Sequence, residues 1–222
     1  MSRRRLTTVF GLVAASLFCV ALVVVRDVHT GTSDFHYLVW NLFLAWIPFV
    51  LAVIVYDRWR RRGAGPTVLV LGALWLLFFP NAPYIVTDFV HLERGAAAPY
   101  WYDAVTIAAF AWMGVLLGFA SLFLMQTAVR QWAGAFVGWL FALVAIGLGS
   151  LGIYLGRFLR LNSWDALEHP SVIPRLLHTV ARDPFAYQEA VAVTVLFALA
   201  LTFAYFLLYS FAAVSLELDA ER

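Results

Sequence analysis

The chain has no lysine, one cysteine and very few charges. Only 13% of its 222 residues are Asp, Glu, Lys or Arg, about half the share of a soluble domain. All fifteen Lys-plus-Arg positions are arginine, and the formal net charge is only +2. That charge is too small for a nucleic-acid partner, and no aromatic-basic nucleic-acid motif is present. Cys19 lies inside an apolar run, so an internal disulfide, a thiol redox pair and a cysteine metal site are all excluded. Internal repeats are absent too, which weakens a transporter built from inverted repeats. A cleaved leader also fits poorly. Ser2 to Arg5 is a basic head, but the apolar run that follows is too long for a signal core, and no small-x-small cleavage site closes it.

What the chain does have is apolar length. It is 64% hydrophobic and 17% aromatic. Several runs reach about 20 residues, enough to cross a hydrocarbon core of ~30 Å. Continuous runs, rather than short alternating ones, predict helices and not a barrel. The fold class expected is therefore an all-α integral membrane bundle, with residues 1–222 forming a single polytopic domain. The six expected spans are residues 6–25, 37–56, 68–92, 104–129, 134–155 and 189–211. The third is expected to break at Pro80-Asn81-Ala82-Pro83. Pro80 removes a backbone donor, and Pro83 disfavours helical geometry at Ala82. Asn81 carries both a donor and an acceptor to satisfy groups freed there, and the break is either a plain kink or the wall of a wet cavity. Gly114 and Gly118 form a small-xxx-small pair suited to close helix packing. Residues 26–36 read as a polar loop, and Ser171 to Arg182 as an amphipathic helix in the interface plane.

Arginine placement sets the orientation. With six spans and the N-terminus inside, nine arginines fall inside and six outside. The first two inside segments carry seven of the nine, and such early segments dominate topology. Both termini are therefore expected in the cytoplasm. In that orientation Asn41, Asn81, Asp88, His91, Asp103, Arg157, Arg160, Asn162 and Asp165 all collect at the outer side. At 1.5 Å per residue, Val68 to Phe79 already covers ~18 Å, so the break falls in the outer half.

Three motifs stand out: Asn41-Leu-Phe-Leu-Ala-Trp46-Ile-Pro48, Phe79-Pro-Asn-Ala-Pro-Tyr84 followed by Thr87-Asp88, and Tyr154-Leu-Gly-Arg157-Phe-Leu-Arg160-Leu-Asn162-Ser-Trp164-Asp165. With these the chain resembles an uncharacterised bacterial family, the domain of unknown function numbered thirteen-sixty-one. The resemblance runs from the second span to the sixth. It implies a multi-pass protein of the bacterial inner membrane. It brings no established substrate, cofactor or catalytic residue.

The residues themselves suggest the chemistry. Arg157 and Arg160 are three apart, which on a helix is one face, and paired guanidiniums clamp a phosphate or carboxylate. The competing reading has them stapling helix ends to Asp88, Asp103 or Asp165. Asn41, Asn81, Asn162 and Trp164 complete a candidate binding set for an anionic lipid or a lipid-linked substrate. Asp88, His91 and Asp165 are the candidate acid–base residues. Asp88 with His91, and Asp165 with His169, also have a spacing seen in helical metal sites, but the pattern is weak and no metal is assigned. Asn162 with Asp165 equally suits the cap of a short helix. Trp40, Tyr100, Trp101, Tyr102, Tyr154 and Trp164 read as an interfacial aromatic belt. Two other functions stay open. A small-solute or ion permease would need polar lining from Ser121, Gln126 and Thr127. A membrane-complex assembly factor would dock a protein on the polar face. The sequence leaves any cofactor unknown, and it does not say whether the protein is an enzyme.

Overall fold

Among the described residues of the computed structural model every regular element is helical. The structure describes residues 3–92, 97–168, 171 and 188–220. In chain order these are α1 (Arg3–Thr30), α2 (His36–Arg62), α3 (Pro66–Phe78), α4 (Asn81–Tyr84), a 3-10 helix (Ile85–His91), α5 (Tyr100–Ala133), α6 (Ala135–Phe158), α7 (Asp165–Glu168) and α8 (Gln188–Ala220). Six helical stretches are long and apolar enough to cross a membrane: Arg5–Thr30, His36–Arg62, Pro66–His91, Tyr100–Ala133, Ala135–Phe158 and Gln188–Ala212. The chain is thus a multi-pass membrane protein, as the apolar runs predict. The expected interfacial helix at residues 171–182 lies outside the described residues, apart from Ser171.

The helix ends follow local chemistry. Gly31 stops α1 at φ 68°, and its N–H donates to the Asp27 carbonyl at 2.8 Å. Gly63 stops α2 at φ 71°, its N–H on the Trp59 carbonyl at 2.8 Å. Both glycines take a conformation that costs an L side chain about 1 kcal/mol or more. Pro66 opens α3 in its first turn, where a missing N–H costs nothing. One expected boundary needs correction. Residues 26–30 are not loop but the last turns of α1, so Arg26 belongs to the first span.

The chain divides into two compact units, Met1–Ala128 and Val129–Arg222. In the first, α2 packs along α3, α4 and the 3-10 helix. Its core gathers Leu38, Leu42, Ala45, Phe49, Ala82, Ile85, Ile107, Phe110 and Leu117. In the second, α6 packs on α8. Trp139 sits there against Tyr205 and Tyr209, with ring centroids at 6.2 and 4.9 Å, and Arg130 donates to the Tyr209 hydroxyl at 2.6 Å.

The proline break is real, and two of the carbonyls it disturbs have identified donors. Pro83 has no N–H for the Phe79 carbonyl, which accepts instead from Ala82 N–H at 3.2 Å. That leaves the Phe78 carbonyl, four residues before Ala82, without its helical donor. The Asn81 side-chain amide supplies one at 3.0 Å. The backbone stays in the right-handed region throughout, with Phe79 at φ −54° and Pro80 at φ −58°. The break is therefore a change of winding. It is also covered by protein: Ala82 and Pro83 are buried. Gly114 makes this possible, because a methyl there would run into the Ala82 carbonyl oxygen. A methyl on Gly118 would lie 3.2 Å from Ala82 Cβ. The small-residue pair is the groove into which the broken span fits.

Candidate functional site

Beyond the break, winding decides which polar residues face inward. A 3-10 helix repeats every three residues, so Ile85, Asp88 and His91 fall in one row. In an α-helix, at 3.6 residues per turn, they would drift around the axis. Ile85 is 0% exposed and Asp88 1%. Asp88 Oδ2 accepts from the Asn41 side-chain amide at 2.9 Å, tying the 3-10 helix to the first turns of α2. Tyr37, one turn earlier on α2, lies edge-on to the His91 ring with centroids 5.1 Å apart. The structure thus joins Asn41 to Asp88, while His91, one turn further on, is exposed and meets Tyr37. Asn81 lies earlier, bonded to its own helix as described.

Arg26 and Asp103 form the other polar cluster of this unit. Both are 2% exposed. Arg26 Nε donates to Asp103 Oδ1 at 2.8 Å and Nη2 to Oδ2 at 3.4 Å, a two-pronged contact between α1 and α5. Nη1 donates to the Thr32 hydroxyl at 3.0 Å and lies 3.6 Å from Asp34. The guanidinium also rests over the Phe35 ring, 4.1 Å from its centroid. Beside it, the Tyr102 hydroxyl donates to the Leu22 carbonyl at 2.8 Å. Sequence reasoning did not find this pair. An arginine ending an apolar run is a common boundary mark, and its partner is 77 residues away. Asp103, one of three carboxylates offered to Arg157 and Arg160, is therefore engaged by Arg26.

In the second unit the arginine motif takes a shape its spacing does not predict. Phe158 is the last residue of α6. Arg157 stands in the final turn, where a cation offsets the partial negative charge of the helix end. Arg160 lies past the end with φ 55°, the one non-glycine residue in the left-handed region among the described residues. Leu161 N–H folds back onto the Leu155 carbonyl at 3.1 Å and fixes that turn. The two arginines therefore do not share a helical face, because the helix stops between them. Asn162 and Asp165 form the short-helix cap. Asn162 N–H donates to Asp165 Oδ2 at 2.6 Å, and the Asn162 amide approaches the same oxygen at 3.3 Å. Trp164 precedes α7 and is half-buried. His169, the proposed companion of Asp165, lies outside the described residues. Among the described residues no three His, Cys, Asp or Glu side chains gather in a way that holds a metal.

The family model described as "Protein of unknown function (DUF1361)" matches residues 40–205. The chain belongs to this family. The match takes in Asn41, Asn81, Asp88, His91 and the whole Arg157–Asp165 turn, and begins after Arg26. No curated protein and no solved structure matches the chain. In this DUF1361 chain, then, chemistry has to be argued from the geometry itself.

Proposed function

We propose that this integral membrane protein holds an anionic lipid head, or the phosphate of a lipid-linked substrate, at the turn that closes α6. Arg157 and Arg160 supply the charge, with Asn162 and Trp164 beside them. Arg160 carries the reading. It is an exposed arginine in a left-handed conformation, with no ion pair within 4 Å among the described residues. Backbone strain held in place by a specific bond supports a functional reading. A planar guanidinium suits the oxygens of a phosphate. In the proposed orientation, with both termini in the cytoplasm of a bacterial inner membrane, this turn meets the outer headgroup layer.

Binding is favoured over bond-making. The candidate acid–base carboxylates are engaged, Asp88 by Asn41 and Asp165 by the Asn162 main chain. Asp88 and His91 are the pair to test should turnover be detected. The permease reading is weaker, since the Ser121 hydroxyl is buried between the Trp75 indole and the Gly118 carbonyl. An assembly role is the remaining reading, with the same turn docking an acidic protein segment.

The test is native mass spectrometry of the detergent-purified protein beside an Arg157→Ala/Arg160→Ala variant of equal thermal stability. A discrete anionic lipid or lipid phosphate on the parent, lost from the variant, is the expected result. The same lipids on both would overturn it.

A further inference from the structure

Four arginines close α2, and the helix lasts long enough to sort them. Arg58, Arg60, Arg61 and Arg62 all stand within α2, which stops only at Gly63. At 3.6 residues per turn, Arg58, Arg61 and Arg62 fall within about 100° of one another, on one face of the last turns. Arg60 leaves that face and rests over the Tyr56 ring, 5.9 Å from its centroid. The three- and four-residue spacings mean a shared face here, because the helix continues through all of them. At Arg157 and Arg160 it does not.

The charge of this face is not offset nearby. Asp57 is the one acidic residue between Asp34 and Asp88, and Arg5 holds it at 2.8 Å. Arg58, Arg61 and Arg62 have no ion pair within 4 Å among the described residues. Arg61 and Arg62 are exposed and Arg58 is half-buried. The depth of the face is set by the chain. Only Gly63, Ala64 and Gly65 separate Arg62 from Pro66, where the next span begins. So short a link between two spans keeps the arginines at the membrane surface. Tyr56 and Trp59, with ring centroids 6.1 Å apart, are residue types that sit at headgroup level.

We propose that Arg58, Arg61 and Arg62 together bind the phosphate of an anionic phospholipid in the leaflet that meets this end of α2. Guanidinium N–H groups donate to the phosphate oxygens, and the net charge of the head makes the selection. A zwitterionic head offers the same phosphate but brings an ammonium that three unpaired cations repel. A topology signal needs only the number of arginines on one side of the membrane. A headgroup site needs them aligned, and alignment is what the helix adds. In the proposed orientation the leaflet is the cytoplasmic one. The site lies in the first unit and does not rest on the Arg157–Arg160 turn of the second.

The experiment offers the delipidated full-length protein equal amounts of phosphatidylglycerol and phosphatidylcholine with identical chains, and native mass spectrometry counts what is retained. It is run on the parent and on an Arg157→Ala/Arg160→Ala background, in which this face is counted alone. The background is expected to keep phosphatidylglycerol about a hundredfold over phosphatidylcholine, since each basic residue at an anionic surface is worth about fivefold. Arg58→Gln, Arg61→Gln and Arg62→Gln should each lower that preference about fivefold, and as single changes at a helix end they leave most of the topology signal in place. Arg60→Gln should leave it within about twofold. Excess inorganic phosphate should not displace the lipid. Equal retention of the two lipids overturns the proposal, as does an unchanged preference in the three single variants. A fall in Arg60→Gln as large as theirs would mean diffuse charge instead of a face, and displacement by phosphate would mean a free-anion site; either overturns it. Failure of the Arg157–Arg160 turn shows differently, as a parent and a background that retain the same number of phosphatidylglycerols.

Discussion

Asp103→Leu should destabilise the protein by about 3 kcal/mol, the lower part of the range for stripping one partner from a buried ion pair. The lower part applies because Arg26 is not left alone: the Thr32 hydroxyl at 3.0 Å and Asp34 at 3.6 Å remain beside it. Arg26→Met should cost a similar amount, since it strands a carboxylate that is 2% exposed. Combining Arg26→Met with Asp103→Leu removes both charges, and that variant should return to within about 1 kcal/mol of the parent, because well-packed apolar residues replace buried pairs with little loss. The coupling between the sites should therefore be about 5 kcal/mol. Reversible unfolding in mixed micelles, titrated with a denaturing detergent, reads all four corners of the cycle. If the single changes cost under about 1 kcal/mol each, the pair behaves like an exposed one and its burial means little. Costs that simply add in the double variant would refute the contact itself.

Two further outcomes separate packing from ligand binding. Gly114→Ala should cost about 2 kcal/mol, because its methyl meets the Ala82 carbonyl, which has little room to move; Gly147→Ala, with nothing within 4 Å, should stay within about 1 kcal/mol of the parent, and thermal denaturation of the two variants side by side checks this. Arg160→Gly should raise stability by about 1 kcal/mol by relieving the left-handed backbone, and should still lower retention of anionic lipid; a stability loss with lipid retained would remove Arg160 from the binding turn.

The spans were legible because apolar length is a property of the chain alone. The break was legible for a similar reason: two prolines three apart leave backbone acceptors without donors, and Asn81 was the nearest side chain able to serve them. Gly114 and Gly118 announced a close approach, though not that Ala82 would be the neighbour. Contacts across distant segments were not legible. Nothing near Arg26 points to Asp103, and the polar look of residues 26–30 hid about one and a half more turns of α1, which ends only at Gly31. The arginine motif misled through its spacing. A three-residue interval implies a shared face only while the helix continues, and neither Phe158 nor Leu159 is a usual stop. Asp88 and His91 were expected on one face, but the 3-10 winding that aligns them with Ile85 has no local sequence signature.

The fit of Gly114 against Ala82 also sets an order of assembly in the cell. A ribosome releases α2 before the third span, and α2 carries Asn41, the donor for Asp88. The third span can therefore enter the membrane with its acidic residue already partnered. Gly114 is made later, on α5, and until it arrives the rewound backbone at Ala82 has no cover on that side. The interval between those two events is when the young chain is most open to quality control. Substitutions at Gly114 would then be felt first as lost protein in the membrane.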